Sequence, residues 1–196
     1  MVRAGLSGAR LARAAAEMAD EVGMDKVTVS ALARHFGVKD ASLYSHIKNR
    51  RDLCVRVALL ASEEMTDRIA AAVAGRSGKA ALVAFANAYR SYALEHPGRY
   101  AATQMQLDPE EIGDSAGLRR SIELTYGMLR AYDLAEPDLT DAGRLLRSTF
   151  HGYIHLELSG GFGHPRAVQE SWSRSLDALH VLLENWPTRP DEGERQ

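Results

Sequence analysis

Apolar side chains recur along most of the chain at intervals of three and four residues, which is the spacing of an amphipathic α-helix. Strict alternation of apolar and polar residues, the pattern of a half-buried strand, extends over no more than a few positions. Glycine and proline divide the helical pattern into separate segments. The sequence therefore predicts an all-α fold of about nine helices joined by turns.

Two short helical segments flank Gly37 at the spacing of a helix-turn-helix. Thr28 is positioned to cap the first segment, and Gly37 can adopt the left-handed conformation that ends it. The second segment covers about 39–47, and Leu43 and Ile47 lie four residues apart on its inward face. The apolar positions of the first segment are Val29, Leu32, Ala33 and Phe36.

The outward side of the second segment is small, polar and aromatic, with little apolar content. This chemistry suits a helix that lies in the major groove, because the base edges there offer hydrogen-bonding groups. Double-stranded DNA is therefore the expected partner. The outward residues are Asp40, Ala41, Ser42, Tyr44, Ser45 and His46.

A predicted helix precedes this pair and a longer one follows it. Ser7 can cap the first, over about 7–22, and Gly23 can end it. Asn49 can cap the second, which continues to a glycine-containing break at 75–78 and is long enough to link two units. The remaining predicted helices cover about 79–95, 100–107, 115–132, 138–159 and 166–186.

The last predicted helix carries an apolar stripe with steps of four, four, three, four and three residues. Such a stripe is typical of a coiled-coil seam, and it predicts a homodimer through this helix and the helix before it. The alternative is a stripe that packs only within its own chain. The stripe consists of Val168, Trp172, Leu176, Leu179, Leu183 and Trp186.

The formal net charge of the 196-residue chain is only −2, which by itself argues against a nucleic-acid-binding protein. The distribution of charge reverses that argument. Residues 1–60 contain ten Lys and Arg against six Asp and Glu, a balance of +4, whereas residues 61–196 have a balance of −6. A chain whose first third is basic and whose remainder is acidic is typical of a modular DNA-binding protein.

Cys54 is the only cysteine, so no disulfide can form within the chain. No apolar run approaches the roughly 20 residues that a membrane-spanning helix requires. The first residues lack the distinct apolar core of a signal peptide. We therefore expect a cytoplasmic protein without membrane contact.

Two sets of residues stand at a characteristic spacing. The first set is Ala33, Phe36-Gly37-Val38, Leu43-Tyr44, His46, Lys48-Asn49, Arg51 and Leu53, and through it residues 7–60 resemble the N-terminal domain of TetR-type transcriptional regulators. The second set is Phe150-His151-Gly152, Leu156-Glu157-Leu158 and Gly160-Gly161. Through it residues 150–161 are similar to the C-terminal domain of a TetR subgroup named for a Trp-His-Gly signature, although a phenylalanine takes the position of the tryptophan.

The resemblance implies a homodimer that binds a palindromic DNA operator, most often as a repressor, and that a small-molecule ligand releases from DNA. An architectural DNA-binding protein that does not respond to a ligand is the alternative. Phosphate contacts set the register and base-edge contacts set the sequence. The family assigns phosphate contacts to Thr28, Ser42, Tyr44, His46 and Lys48, and base-edge contacts to Ser30, Lys39, Asp40 and Ala41.

Lys39 departs from the family pattern, which often has serine or threonine at this position to cap the recognition helix. Two roles are open to the neighbouring Asp40. Its carboxylate can take over part of the capping and complement the helix dipole. Alternatively, it can accept a hydrogen bond from the N4 amino group of cytosine while Lys39 donates to a guanine, which would favour a half-site with G·C pairs.

Large, adaptable side chains on the helices after residue 75 are candidates for lining a ligand pocket, and a place in the helical core is the alternative for each of them. His151 and His155 lie four residues apart but lack the glutamate of the His-Glu-x-x-His zinc motif, so we expect no metal and no other cofactor. The candidate ligand-binding residues are Phe85, Tyr89, Tyr92, Tyr100, Met105, Met128, Phe150 and Tyr153.

The sequence contains no nucleophile elbow, phosphate-binding loop or His-Glu-x-x-His motif, and we do not expect an enzyme. The expected organisation is a helix-turn-helix DNA-binding domain at 1–52 and a ligand-binding and dimerisation domain at 53–187. A disordered tail is expected at 188–196.

Overall fold

The computed structural model describes residues 5–187 and contains only helices and turns within that range, which confirms the all-α fold class. The predicted tail at 188–196 lies outside the described residues. The α-helices of the described part are α1 (Gly8–Val22), α2 (Val29–Phe36), α3 (Arg50–Val73), α4 (Gly78–Glu95), α5 (Pro97–Thr103), α6 (Pro109–Ile112), α7 (Ala116–Leu129), α8 (Asp138–Leu158) and α9 (Val168–Glu184).

Local hydrogen bonds start the first three helices where the sequence predicts. The side chains of Ser7, Thr28 and Asn49 each accept a backbone N–H from the first turn of α1, α2 and α3, at 3.2, 3.1 and 2.9 Å. Gly37 ends α2 with a φ of 65°, a left-handed conformation that costs glycine little because it has no Cβ. The tight turn at Gly37 brings the end of α2 close to the segment that follows it.

The predicted helix over 39–47 is wrong as a continuous α-helix. The structure has a single 3₁₀ turn at Asp40–Ser42, followed by further turns. The backbone bonds of the 3₁₀ turn span three residues, as from Ser42 N–H to Lys39 C=O at 2.9 Å. No side chain caps this turn, because the ammonium group at position 39 cannot accept a backbone N–H bond.

The helix α5 begins three residues earlier than the sequence analysis predicts. The preceding helix α4 ends at Glu95, as predicted, and Pro97 occupies the first position of α5. Proline is favoured there because its missing N–H would have no partner in the first helical turn. The shift brings Gly98 and Arg99 into the helix, next to the C-terminal end of α1.

The buried apolar residues form two clusters that share the long helix α3. The head core unites α1, α2 and the turns after α2 with the start of α3, where Leu53 and Val57 are buried. The body core unites α4, α5, α7, α8 and α9 with the second half of α3, where Met65 and Ile69 are buried. One continuous helix therefore connects the two cores.

The apolar stripe of α9 faces the body core of its own chain, so the prediction of a dimer seam through this stripe is wrong. Trp172, Leu176, Leu179 and Leu183 are buried within the subunit. Val168 is half-buried, and Trp186 packs against the same core. The spacing of a stripe that meets a second helix is the same whether that helix belongs to the same chain or to another.

Candidate nucleic-acid interface

Two buried anchors hold the turns after α2 against the head core. Leu43 is 0% exposed and Ile47 is 2% exposed, as the sequence predicts. The residues around these anchors lie at the surface. Of the nine predicted DNA-binding residues, His46 is half-buried and the other eight are exposed: Thr28, Ser30, Lys39, Asp40, Ala41, Ser42, Tyr44 and Lys48.

The chemistry of this surface suits contacts with phosphate oxygens. The hydroxyl oxygen of Thr28 accepts the N–H of Ala31, which leaves its own O–H available as a donor. Tyr44 is 54% exposed and presents its phenol to solvent. A large aromatic side chain at this exposure, with a polar tip, is a feature of binding surfaces.

A side-chain hydrogen bond joins the two halves of the helix-turn-helix. The hydroxyl of Ser30, on α2, donates to Oδ2 of Asp40, ten residues later. The capping role that the sequence left open for Asp40 is not found, because no side chain caps the turn that begins there. The carboxylate is instead held at the surface by α2.

Arg50 braces this surface from behind, and the sequence analysis missed it. Its guanidinium donates to the carbonyl of Val27 at 2.9 Å and to the carbonyls of Met24 and Asp25 at 3.1 Å each. These carbonyls lie in the turn just before Thr28. The position of Arg50, directly after the helix cap, was the only local signal, and its partners lie 23 or more residues away.

Asp52 fixes the other end of the surface. It accepts the backbone N–H of Lys48 at 2.8 Å and the Nε–H of Arg56 at 3.0 Å. Burial opposes ionisation of Asp52, but these hydrogen bonds outweigh it and lower the pKa of the carboxyl below its usual value. The charged carboxylate therefore holds the backbone in front of α3.

The structure brings together part of the predicted ligand-binding set in the body core. Phe85, Tyr89, Tyr100 and Phe150 are buried, with the Tyr89 ring centroid 5.8 Å from that of Tyr100 and 5.9 Å from that of Phe150. Met128 is buried in the same core. The three remaining candidates are Tyr92, which is buried, and Met105 and Tyr153, which are half-buried.

Tyr92 and Tyr153 have other partners. The hydroxyl of Tyr92 donates to Glu64 on α3 at 3.1 Å. The hydroxyl of Tyr153 donates to the carbonyl of Val168 at 3.2 Å, and its ring packs against that of Trp172 at 4.9 Å between centroids. These two tyrosines connect helices rather than join the aromatic cluster around Tyr89.

His151 extends the aromatic cluster with a polar group. Its Nδ1 shares a hydrogen bond of 2.7 Å with the hydroxyl of Tyr100, which lies 3.5 Å from the hydroxyl of Tyr89. Burial, followed by the nearby His155 and Arg147, lowers the pKa of His151, so the ring is neutral at pH 7. The structure thus combines an apolar wall with uncharged hydrogen-bonding groups.

No group of three or more His, Cys, Asp or Glu side chains that could hold a metal ion occurs within residues 5–187. The rings of His151 and His155 lie 6.2 Å apart between centroids. Within the same range, no helix has both the length and the hydropathy that a membrane span requires. A groove between α3 and α4 shares no lining residue with the aromatic cluster; four alanines and Val83 line it together with polar and charged side chains, among them Arg68, Arg76 and Lys79.

Comparisons with known proteins agree with the assignment of this surface to DNA binding. Residues 11–57 match the family described as bacterial regulatory proteins, tetR family, and residues 82–179 match the tetracyclin repressor-like C-terminal domain. This chain belongs to the TetR family. TetR-family proteins are transcriptional regulators, so the chain is a DNA-binding transcriptional regulator and not an enzyme.

The similarity to a curated TetR-type relative extends over most of the chain. An uncharacterized HTH-type transcriptional regulator of Mycobacterium tuberculosis is 33% identical over 156 residues, which cover 79% of this chain and 72% of the relative.

Solved structures of TetR-type proteins share the fold. BioQ of Mycobacterium smegmatis, solved with its double-stranded DNA operator, matches with a TM-score of 0.68 and 20% identity, covering 92% of this chain and 99% of that chain. A TetR protein of Acinetobacter baumannii in complex with minocycline matches with a TM-score of 0.70 and 20% identity, covering 94% and 100%. At this identity the likeness concerns the fold alone.

Proposed function

We propose that this TetR-family chain is a cytoplasmic, homodimeric repressor that binds a palindromic operator and leaves it when a small-molecule ligand binds. The observation that carries the proposal is the exposed polar surface around the Asp40–Ser42 turn, which Leu43 and Ile47 hold against the head core. The solved complex of BioQ with its operator supports DNA as the partner. A dimer on a promoter represses by occupying it.

We assign two kinds of DNA contact to this surface. Hydroxyl, imidazole and ammonium groups would donate to phosphates and set the register, while side chains around the 3₁₀ turn would meet base edges and set the sequence. The proposed phosphate contacts are Thr28, Ser42, Tyr44, His46 and Lys48. The proposed residues at base edges are Ser30, Lys39, Asp40 and Ala41.

We also propose that the two parts of the chain, each built around one core, have different functions. The head, residues 1–52, would bind DNA, and the body, residues 53–187, would bind ligand and form the dimer. Helix α3 would transmit movement between them, because Leu53 and Val57 belong to the head core while Met65 and Ile69 belong to the body core.

Exposed apolar side chains on the last two helices support the dimer. Leu156 and Leu158 of α8 are exposed, as are Val181 and Leu182 of α9, at 56% and 40% for the last two. Burial of such side chains against a second copy would stabilise association by removing apolar area from water. A two-fold dimer pairs the same surface of each copy, and this symmetry matches a palindromic operator.

Arg90 supports the same assignment, because it fixes both dimer helices to α4. Its guanidinium donates to both carboxylate oxygens of Glu157 on α8, at 2.7 and 2.6 Å, and to Gln169 on α9 at 2.5 Å. The guanidinium also lies over the ring of Trp172, 5.4 Å from its centroid. Helix α4 carries Phe85 and Tyr89 of the aromatic cluster, so a change there would reach the dimer surface through Arg90.

The ligand site that we propose is the aromatic cluster of the body core. Phe85 and Phe150 offer an apolar wall, and Tyr89, Tyr100 and His151 offer hydrogen-bonding groups. Met128 can adapt to ligand shape, since a thioether side chain is flexible and polarizable. The complex of the Acinetobacter baumannii protein with minocycline supports a ligand for this fold.

Helix α5 would couple that site to the head. Tyr100 faces the aromatic cluster, whereas the adjacent Arg99 contacts Asp20 on α1. A ligand that displaces Tyr100 would favour an arrangement of the heads that does not match the operator. Ligand would thus weaken DNA binding by shifting the population of conformations.

Selection of bound sequences from a random duplex library, at two salt concentrations, tests the DNA-binding part. We expect a palindromic site with a defined half-site at both salts. Enrichment of no sequence, with binding that only fades as salt rises, would contradict the proposal and favour an architectural DNA-binding protein. An operator-bound fraction that stays constant across a broad metabolite panel would contradict the ligand-dependent part.

A further inference from the structure

The carboxylate of Asp40 lies on the proposed DNA-binding surface, and α2 determines its orientation. Ser30 donates its hydroxyl hydrogen to Oδ2 of Asp40. The two residues are ten positions apart, on opposite sides of the turn at Gly37, and both are exposed. The bond therefore holds a carboxylate at an exposed position, where the packing of the core does not determine its orientation.

A carboxylate on this surface needs a donor when DNA is bound. Phosphates repel it, and a hydrogen bond from a base would offset that repulsion. In the major groove the donors are the N4 amino group of cytosine and the N6 amino group of adenine. The adenine amino group lies between its own N7 and the O4 of the paired thymine, two acceptors that repel a carboxylate, whereas the cytosine amino group has such a neighbour on one side only, the O6 of the paired guanine.

We propose that Ser30 and Asp40 together recognise one cytosine in each half-site of the operator. Asp40 accepts a hydrogen bond from N4 of that cytosine, and Ser30 is a positioning residue that keeps the carboxylate directed at the base. This inference rests on the proposed function and adds the base that the surface selects. The role of Ser30 is indirect, because its single hydroxyl hydrogen is already donated to Asp40.

Orientation by Ser30 matters because a free aspartate side chain has several rotamers. Holding one of them before DNA arrives reduces the entropy lost on binding. The selectivity for cytosine should therefore decrease when Ser30 loses its hydroxyl, although Asp40 itself is intact. A role confined to folding would leave selectivity unchanged.

Binding of the full-length chain to four duplexes tests the proposal. The wild type and Asp40→Ala are first compared by selection from a random library, which identifies the half-site position where their preferences differ. Four duplexes that differ only at that base pair are then titrated by fluorescence anisotropy. The variants are Asp40→Ala, Asp40→Asn and Ser30→Ala, and the matched control is Ser45→Ala, which removes an exposed hydroxyl that donates to the carbonyl of Ser42.

We expect the wild type and Ser45→Ala to prefer cytosine by about ten-fold, within the usual range for one base contact. Asp40→Ala should lose the preference. Asp40→Asn should change it to adenine, because a carboxamide can accept from N6 and donate to N7. Ser30→Ala should keep cytosine as the preferred base, with a preference reduced several-fold.

Four outcomes would overturn the proposal. If the wild type selects a defined site and Asp40→Ala selects the same bases at every position, or if Asp40→Asn still prefers cytosine, then Asp40 does not recognise cytosine. If Ser30→Ala retains the full preference, Ser30 does not position the carboxylate. If the wild type selects no site at all, the proposed function fails, and this inference fails with it.

Discussion

Asp20, in the last turn of α1, accepts a hydrogen bond of 2.8 Å from the backbone N–H of Arg99 in the first turn of α5. The N–H groups of a first helical turn have no partner within the helix, so Asp20 supplies one from another part of the fold. The guanidinium of Arg99 also lies 3.1 Å from Asp20 and 3.2 Å from Glu64. Asp20 therefore joins the end of α1 to the start of α5.

Removal of that carboxylate should weaken the junction. We expect Asp20→Ala to lower the free energy of unfolding by about 1–3 kcal/mol, because it leaves the backbone N–H of half-buried Arg99 without its acceptor and removes one of the two carboxylates beside the guanidinium. Asp20→Asn should cost less, since its amide oxygen still accepts the N–H. Urea denaturation measures both variants, and Asp114→Ala, at an exposed aspartate outside the junction, is the control. Equal losses for Asp20→Ala and Asp114→Ala would contradict this role.

Gly98 permits the close approach of α5 to α1. A Cβ at this position would lie 2.0 Å from the carbonyl oxygen of Ala19, which is closer than any packed atoms can be. We expect Gly98→Ala to destabilise the protein by about 1–3 kcal/mol through overpacking, with the midpoint of urea denaturation as the measurement. Gly127→Ala is the matched control: no atom lies within 4 Å of its added Cβ, and alanine is the better helix former. Similar midpoints for the two variants would show that the approach is not constrained.

Arg50 should support DNA binding by holding the turn before Thr28 in place rather than by attracting phosphates with its charge. We expect Arg50→Ala and Arg50→Lys both to weaken operator binding by about ten-fold or more, because an ammonium group cannot replace a guanidinium fork on three carbonyls. The slope of log affinity against log salt should stay close to that of the wild type. A slope reduced by about one would instead identify a lost phosphate contact.

Glu111 gives a pH-dependent contact between head and body. Its side-chain hydrogen bond with Arg51, at the start of α3, lowers the pKa of the carboxyl to about 2. Because the folded-state pKa is depressed, the stabilising contribution is complete above the ordinary value of 4.5 and is lost as the pH falls towards 2. A carboxyl-detected NMR titration should place the Glu111 midpoint near 2 in the wild type and closer to 4.5 in Arg51→Ala. The same midpoint in both proteins would rule out the ion pair.

The exposed residues of α9 should control assembly. We expect Val181→Glu to shift the protein from dimer to monomer in sedimentation velocity, since a carboxylate would have to lose its water at the proposed interface. Ile122→Glu is the control, because Ile122 is equally exposed but lies on α7. A monomeric wild type, or a Val181→Glu protein that remains dimeric, would contradict the assigned surface.

The features that sequence predicts well in this chain depend on neighbouring residues. Thr28 and Asn49 cap their helices through bonds that span three residues, and Leu43 and Ile47 lie one helical turn apart, so local pattern is sufficient for each. Leucine and valine periodicity likewise predicts the all-α fold. The anchors and the outward residues between Asp40 and His46 were found in this way, whereas the DNA-contact roles of Thr28 and Lys48 came from the resemblance to the TetR family.

The features that sequence could not predict depend on distant partners. The bond from Arg99 to Asp20 spans 79 residues, and nothing near either residue indicates it. The stripe through Trp172 and Leu176 has a correct period but the wrong assigned partner, because periodicity defines a face and not what covers it. The Ser30–Asp40 bond likewise requires the fold, since it crosses the turn between two helical segments.

Titration of the selected palindromic duplex tests the central claim, that two copies of this chain recognise two half-sites together. The comparison duplex has the same length and one half-site scrambled, and fluorescence anisotropy and sedimentation give affinity and stoichiometry at one salt concentration. The account predicts two chains on each intact duplex and an affinity for the scrambled duplex lower by roughly a thousand-fold, towards the non-specific level. Equal affinity for the two duplexes, or one chain on each, would contradict it.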